Sequence, residues 1–108
     1  MIVKYIKKGE YSGPHMTIGK LYEVIGIEAD TYRIIDDSDE PYLYESNQFE
    51  IVDSSEPDFW ITDYGDDGER YSYPPSWARV GFFEDYYDKV ETVKNQFWTE
   101  YKELYKQT

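Results

Sequence analysis

Leu21-Tyr22-Glu23-Val24-Ile25-Gly26-Ile27-Glu28, then Ala29-Asp30-Thr31, then Tyr32-Arg33-Ile34-Ile35-Asp36 is the stretch that decides the fold. Its first segment repeats apolar residues with an approximate period of two, the spacing of a strand rather than a helix. β-Branched and aromatic side chains, which suit a pleated surface, dominate it. Ala29-Asp30-Thr31 reads as a turn and residues 32–36 as the returning strand. Working outward, Asp37-Ser38-Asp39-Glu40-Pro41 is a second turn, rich in residues that bond their own backbone. Tyr42-Leu43-Tyr44-Glu45 is the next strand, Ser46-Asn47-Gln48-Phe49 a single helical turn, and Glu50-Ile51-Val52 a closing strand. Upstream, residues 2–6 form a short strand. A long irregular loop with Gly9, Gly13 and Pro14 then leads into Thr17-Ile18-Gly19-Lys20.

Beyond the connector Ser54-Ser55-Glu56-Pro57, residues 59–64 and 69–73 flank Gly65-Asp66-Asp67-Gly68, a hairpin with a four-residue loop. Pro74-Pro75-Ser76-Trp77 must be irregular, because proline cannot donate to a ladder. From about Glu84 the period changes. Tyr86, Val90, Val93, Phe97, Tyr101 and Leu104 fall on one helical face, and no glycine or proline follows Gly81. One helix is therefore predicted to run to the end of the chain. Its stripe fits core packing against the barrel or the hairpin, with a groove-binding or dimerising helix as the alternative. The expected fold is α+β and mainly β, within one domain of 108 residues. It comprises an SH3-like five-stranded barrel over 1–53, a linker and hairpin extension over 54–83, and a C-terminal amphipathic helix over 84–108.

Five short strands, a long first loop, tight hairpins and one helical turn before the last strand make an SH3-like barrel order. Thr17-Ile18-Gly19-Lys20-x-Tyr22-Glu23-Val24, residues 32–38, Tyr42-Leu43-Tyr44 and Phe49-Glu50-Ile51-Val52 resemble small SH3-like barrel proteins of Gram-positive bacteria and their phages. Some of those keep company with toxin and immunity proteins. The resemblance covers about residues 1–53 and implies a fold more than an activity, since one fold hosts many functions. The acidic aromatic cluster with which eukaryotic SH3 domains hold proline-rich peptides is not recognisable.

The chain has no cysteine, which excludes disulfide frameworks, thiolate zinc sites and thiol catalysis. The longest uncharged run, Tyr11 to Gly19, falls far short of the roughly 20 residues that span a bilayer. The N-terminus lacks a signal-peptide pattern, so a cytoplasmic location is expected. Net charge is −12. Residues 21–83 carry 16 of the 23 acids against only Arg33, Arg70 and Arg79. Such a field repels nucleic acid and anionic membrane, whose phosphates need lysine and arginine. It draws basic proteins and speeds their encounter. A plainer reading is that the acids keep a small protein soluble.

Candidates for chemistry are few. His15, the single histidine, has no nucleophile in a Gly-x-Ser-x-Gly turn to serve. Asp63-Tyr64-Gly65-Asp66-Asp67-Gly68 opens like a calcium loop, but Pro74 stands where the bidentate glutamate belongs. Asp36, Asp37, Asp39 and Glu40 crowd one turn, where an exposed tip would leave them ionised and hydrated. No phosphate-cradling glycine loop is present. The expectation is a binding protein, not an enzyme, with no cofactor and no metal. Tyr42 with Tyr44, and Tyr71 with Tyr73, share strand faces within acidic surroundings. Each ring fits either a leucine-poor core or a surface anchor. The candidate partner-binding set is Asp36, Asp37, Asp39, Glu40, Asp63, Asp66 and Asp67 as carboxylates, with Tyr42, Tyr44, Tyr71 and Trp77 as anchors. These point to an inhibitor or immunity-type protein that blocks a basic nuclease or toxin. The alternatives are a phage-type DNA mimic, whose carboxylates would run along an extended surface, and an assembly or regulatory barrel that self-associates through its C-terminal helix.

Overall fold

The computed structural model describes residues 1–9 and 15–106, so the middle of the first loop lies outside the described residues. The chain divides into two units, Met1–Pro74 and Pro75–Thr108. The first contains β1 (Ile2–Tyr5), β2 (Leu21–Glu28), β3 (Thr31–Ile35) and β4 (Pro41–Glu45). A 3-10 turn (Ser46–Gln48) leads into β5 (Phe49–Asp53), followed by β6 (Ile61–Tyr64) and β7 (Arg70–Tyr73). The seven strands among the described residues join one antiparallel sheet in the order β4-β3-β2-β1-β5, with β7 pairing both β2 and β6. Among the described residues β4 and β5 do not pair with each other. The sheet is therefore not closed, in contrast to the barrel expected.

β2 organises this sheet. Leu21, Tyr22 and Glu23 pair with β1, while Ile27 and Glu28 pair with both β3 and β7. β7 thus occupies the edge of β2 that β1 leaves free. A bulge between Val24 and Gly26 inserts one residue and resets the alternation. Tyr22, Val24 and Ile27 can then all point to one core, which they share with Val3, Tyr5, Ile34, Tyr44 and Phe49. Aromatic rings fill the volume that leucines usually take, Tyr5 and Phe49 meeting edge to face at 5.5 Å. Tyr44 belongs to this core, which corrects its assignment as a surface anchor. Its face-sharing with the more exposed Tyr42 fixes direction but not depth.

The second unit holds a 3-10 turn (Pro75–Trp77), α1 (Phe82–Tyr87) and α2 (Glu91–Tyr105). One continuous helix was expected, and the described residues form two. Lys89 adopts φ 64°, the left-handed conformation that usually calls for glycine. The Val90 N–H donates to the Asp85 carbonyl at 3.1 Å and the Lys89 N–H to that of Tyr86 at 3.2 Å, which closes α1 as a Schellman motif. Trp77 is only 1% exposed and packs on Phe97 at 4.6 Å, with Phe82 and Tyr105 nearby. It is the centre of this unit's aromatic core, not a surface anchor. Of the predicted stripe, Tyr86, Val93 and Phe97 are buried. No helix among the described residues is long and apolar enough to cross a membrane.

Candidate functional site

The face of the sheet turned away from the first unit's core follows from register. Residues directly opposed across a ladder share a face. Glu45 opposes Thr31, Thr31 opposes Glu28, Glu28 opposes Tyr71 and Tyr71 opposes Asp63. These five residues form one row across β4, β3, β2, β7 and β6. At the usual strand spacing the row is about 19 Å long. A parallel row one step along contains Leu43, Arg33, Gly26, Tyr73 and Ile61. Leu43, Tyr71 and Ile61 keep roughly two fifths of their surface exposed. The result is an apolar, aromatic strip edged by carboxylates.

Between the two rows runs a tight polar network. Arg33 is 5% exposed and donates through Nη1 to the Pro41 carbonyl at 2.8 Å, through Nη2 to Glu28 at 2.8 Å and through Nε to the Tyr73 hydroxyl at 3.0 Å. The Tyr73 hydroxyl in turn donates to Glu28. Gly26 is required here, because a Cβ at that position would lie 2.0 Å from the Tyr73 ring. Arg33 and Glu28 therefore neutralise each other and tie the two rows together. No ion pair engages Asp30, Glu45 or Asp63 among the described residues. At the β4 end of the row, Asp30, Thr31, Glu45, Ser46 and Asn47 line an open cleft of about 510 Å³.

The two predicted acidic turns share one construction but stand apart. The Asp39 N–H donates to Asp36 O and the Asp36 N–H to Glu40 O, as Gly68 does to Gly65 and Gly65 to Glu69. Asp39 and Gly68 hold the left-handed position in each, at φ 60° and 82°. The Ala29 N–H donates to Arg70 O, which places the β6–β7 turn beside the β2–β3 turn. The β3–β4 turn stands at the opposite end of β3, about 13 Å away along the strand. Asp63, Tyr71 and the exposed tip residues Asp66 and Asp67 thus gather at one end, and Asp37, Asp39 and Glu40 at the other.

Two residues of the β3–β4 turn depart from the hydrated tip expected. Asp36 is 3% exposed and accepts hydrogen bonds from the Tyr44 hydroxyl at 2.7 Å and the Ser38 N–H at 2.9 Å. It is an internal acceptor, out of reach of a partner. Asp37 is already engaged, accepting from Lys20 Nζ and Thr17 Oγ1 at 2.6 Å each and from the Tyr22 hydroxyl at 3.0 Å. Its own burial works against ionisation, but those donors outweigh it and hold the carboxyl below its usual range. The sequence reading missed Asp30, Glu28 and Glu45. Glu28 and Glu45 could have been aligned through the successive β2–β3 and β3–β4 hairpins, both opposing Thr31, whereas no local signal announces the β2–β7 pairing. His15 is exposed, and among the described residues no group of three His, Cys, Asp or Glu could hold a metal ion.

Burial raises the Tyr44 and Tyr73 phenols well above their ordinary value, reinforced by Asp36 beside the first and Glu28 beside the second. An unfolded phenol ionises near pH 10. The stability these two provide is therefore fully present below about pH 10 and is lost as pH rises further. Urea midpoints measured from pH 9 to 11 are expected to fall, and Tyr44→Phe to make the fall shallower. An equally steep fall in that variant would show that Tyr44 ionises freely in the native protein.

No protein-family model, curated protein or solved structure matches the chain.

Proposed function

We propose that the protein is a non-enzymatic binding module whose acidic outer face occupies a basic protein, in the manner of an inhibitor or immunity-type protein acting on a nuclease or toxin. The observation that carries this reading is the row Glu45-Thr31-Glu28-Tyr71-Asp63, with Leu43 and Ile61 beside it. Half-exposed aromatic and aliphatic groups supply area that a partner can desolvate, and the surrounding carboxylates steer and pair with arginine. The cleft between Asp30 and Glu45 has room for one long basic side chain. We also propose an SH3-like affinity for β1–β5, supported by their order and by the 3-10 turn before β5.

The test compares the tagged protein with an Asp30→Asn/Glu45→Gln/Asp63→Asn variant as bait in lysate of the source cell, washed at moderate and eluted at high salt. Glu28 is left intact because Arg33 depends on it. A basic protein retained by the natural chain and at least tenfold depleted on the variant is the expected result. Equal retention would move the interface elsewhere. The acidic turns at both ends of β3 favour a second reading, a DNA mimic. Displacement of the captured protein by duplex DNA would select it.

A further inference from the structure

The acidic row ends at an open strand edge. Arg70 O accepts from Ala29, so the backbone groups of Arg70 and Ser72 turn toward β2 and those of Tyr71 and Tyr73 toward β6. On β6 it follows that Ile61 and Asp63 bond to β7, as Gly65 does beyond them, while Thr62 and Tyr64 present their N–H and C=O groups outward. All four β6 residues are exposed, Tyr64 at 71%. β6 has no proline, lysine or bulge, and what blunts it is its four-residue length and the negative charge of Asp63, which a basic strand would neutralise.

We propose that the free edge of β6 receives an extended basic segment of the partner as an added strand, with a lysine or arginine opposite Asp63. This rests on the binding role given above and specifies its mode. A strand laid against β6 continues the row by one position, next to Asp63 and close to Asp66 and Asp67. The cation opposite Tyr64 on β7, Arg70, is already paired with Glu56. A second copy of this chain fits poorly, since β6 against β6 opposes acidic strands on molecules of net charge −12. Of the sheet's other edges, β4 has Pro41, which lacks an N–H, and Glu45, whose N–H already donates to Gln48 Oε1 at 3.0 Å, whereas β5 adjoins β1, where Lys4 opposes Glu50. Its charge does not select a basic strand. Main-chain bonds at Thr62 and Tyr64 would give affinity, and Asp63 would give the preference for a basic residue.

The probe is the peptide Ac-Lys-Val-Lys-Val-Lys-Val-NH2 at low salt, read by amide hydrogen exchange and chemical shifts of the full chain. Exchange at Thr62 and Tyr64 is expected to slow at least tenfold on saturation. N-methylation of alternate peptide bonds is expected to weaken binding at least tenfold. Tyr64→Pro should do the same, since it removes an outward N–H without breaking a β7 bond, whereas Tyr64→Ala should stay within threefold of the natural chain. Saturable binding without protection at Thr62 and Tyr64, protection on β5 instead, equal affinity of the Tyr64→Pro and Tyr64→Ala variants, or no binding would each overturn the proposal. If the lysate partner is lost on the triple variant yet held by Tyr64→Pro, the acidic face stands and the added strand falls. If the peptide protects β6 while the triple variant holds its partner, the reverse is true.

Discussion

Trp77→Ala is expected to abolish most of the helical signal of the second unit. Trp77 is fully enclosed, with Phe97 at 4.6 Å, Tyr105 at 5.8 Å and Phe82 at 6.4 Å between ring centroids. Removing such a ring costs about 3–5 kcal/mol, part lost transfer energy and part cavity. α1 has six residues and α2 fifteen. Helices of that length are marginal in water without tertiary packing, so little propensity stands behind them. Far-UV circular dichroism with urea should show the loss. Trp77→Phe is expected to recover most of it, because the buried Nε1–H has no hydrogen-bond partner among the described residues. An unpaired buried donor costs roughly 1–3 kcal/mol, which the phenyl ring avoids. If Trp77→Ala kept its helices and lost only partner binding, the ring would be the surface anchor its sequence context implied.

Trp77 also shows where reading the sequence reached its limit. Strands β1–β5 and the turn before β5 were legible because alternation, β-branched content and turn residues are local signals. Depth is not local. Tyr42 and Tyr44 lie on one face, yet Tyr44 is buried while Tyr42 stays open to solvent, and Asp36 looks like a tip residue until the Tyr44 hydroxyl is seen to reach it. Lys89 stops α1 in a conformation for which glycine is the usual marker, so the break left no trace. The candidate site depended most on distant pairing. Glu28 and Tyr71 are opposed only because β7 docks on β2, and a bulge at Val24–Gly26 sets which residues face outward there. Charge counting found the acidic region but not the row within it.

Glu28→Ala is expected to cost more than Arg33→Met, although the two residues form one pair. The guanidinium side is 6% exposed and the carboxylate side 30%, so their fates on losing the partner differ. Without Glu28, the Arg33 charge stays enclosed and loses its carboxylate at 2.8 Å, while its bonds to the Pro41 carbonyl and the Tyr73 hydroxyl hold it in place. Breaking a buried pair from this direction costs about 3–5 kcal/mol. Without Arg33, water can reach Glu28, and the Tyr73 hydroxyl still donates to it. The remaining penalty is the lost charged hydrogen bond to the Pro41 carbonyl, roughly 1–3 kcal/mol, partly offset by the apolar methionine. Urea denaturation of both variants and of the double variant gives the coupling directly. The double variant should be more stable than Glu28→Ala alone, because it removes a buried charge that no longer has Glu28 beside it. If Arg33→Met proved the more damaging, the guanidinium's bonds to Pro41 and Tyr73, and not its pairing with Glu28, would be what holds the acidic face together.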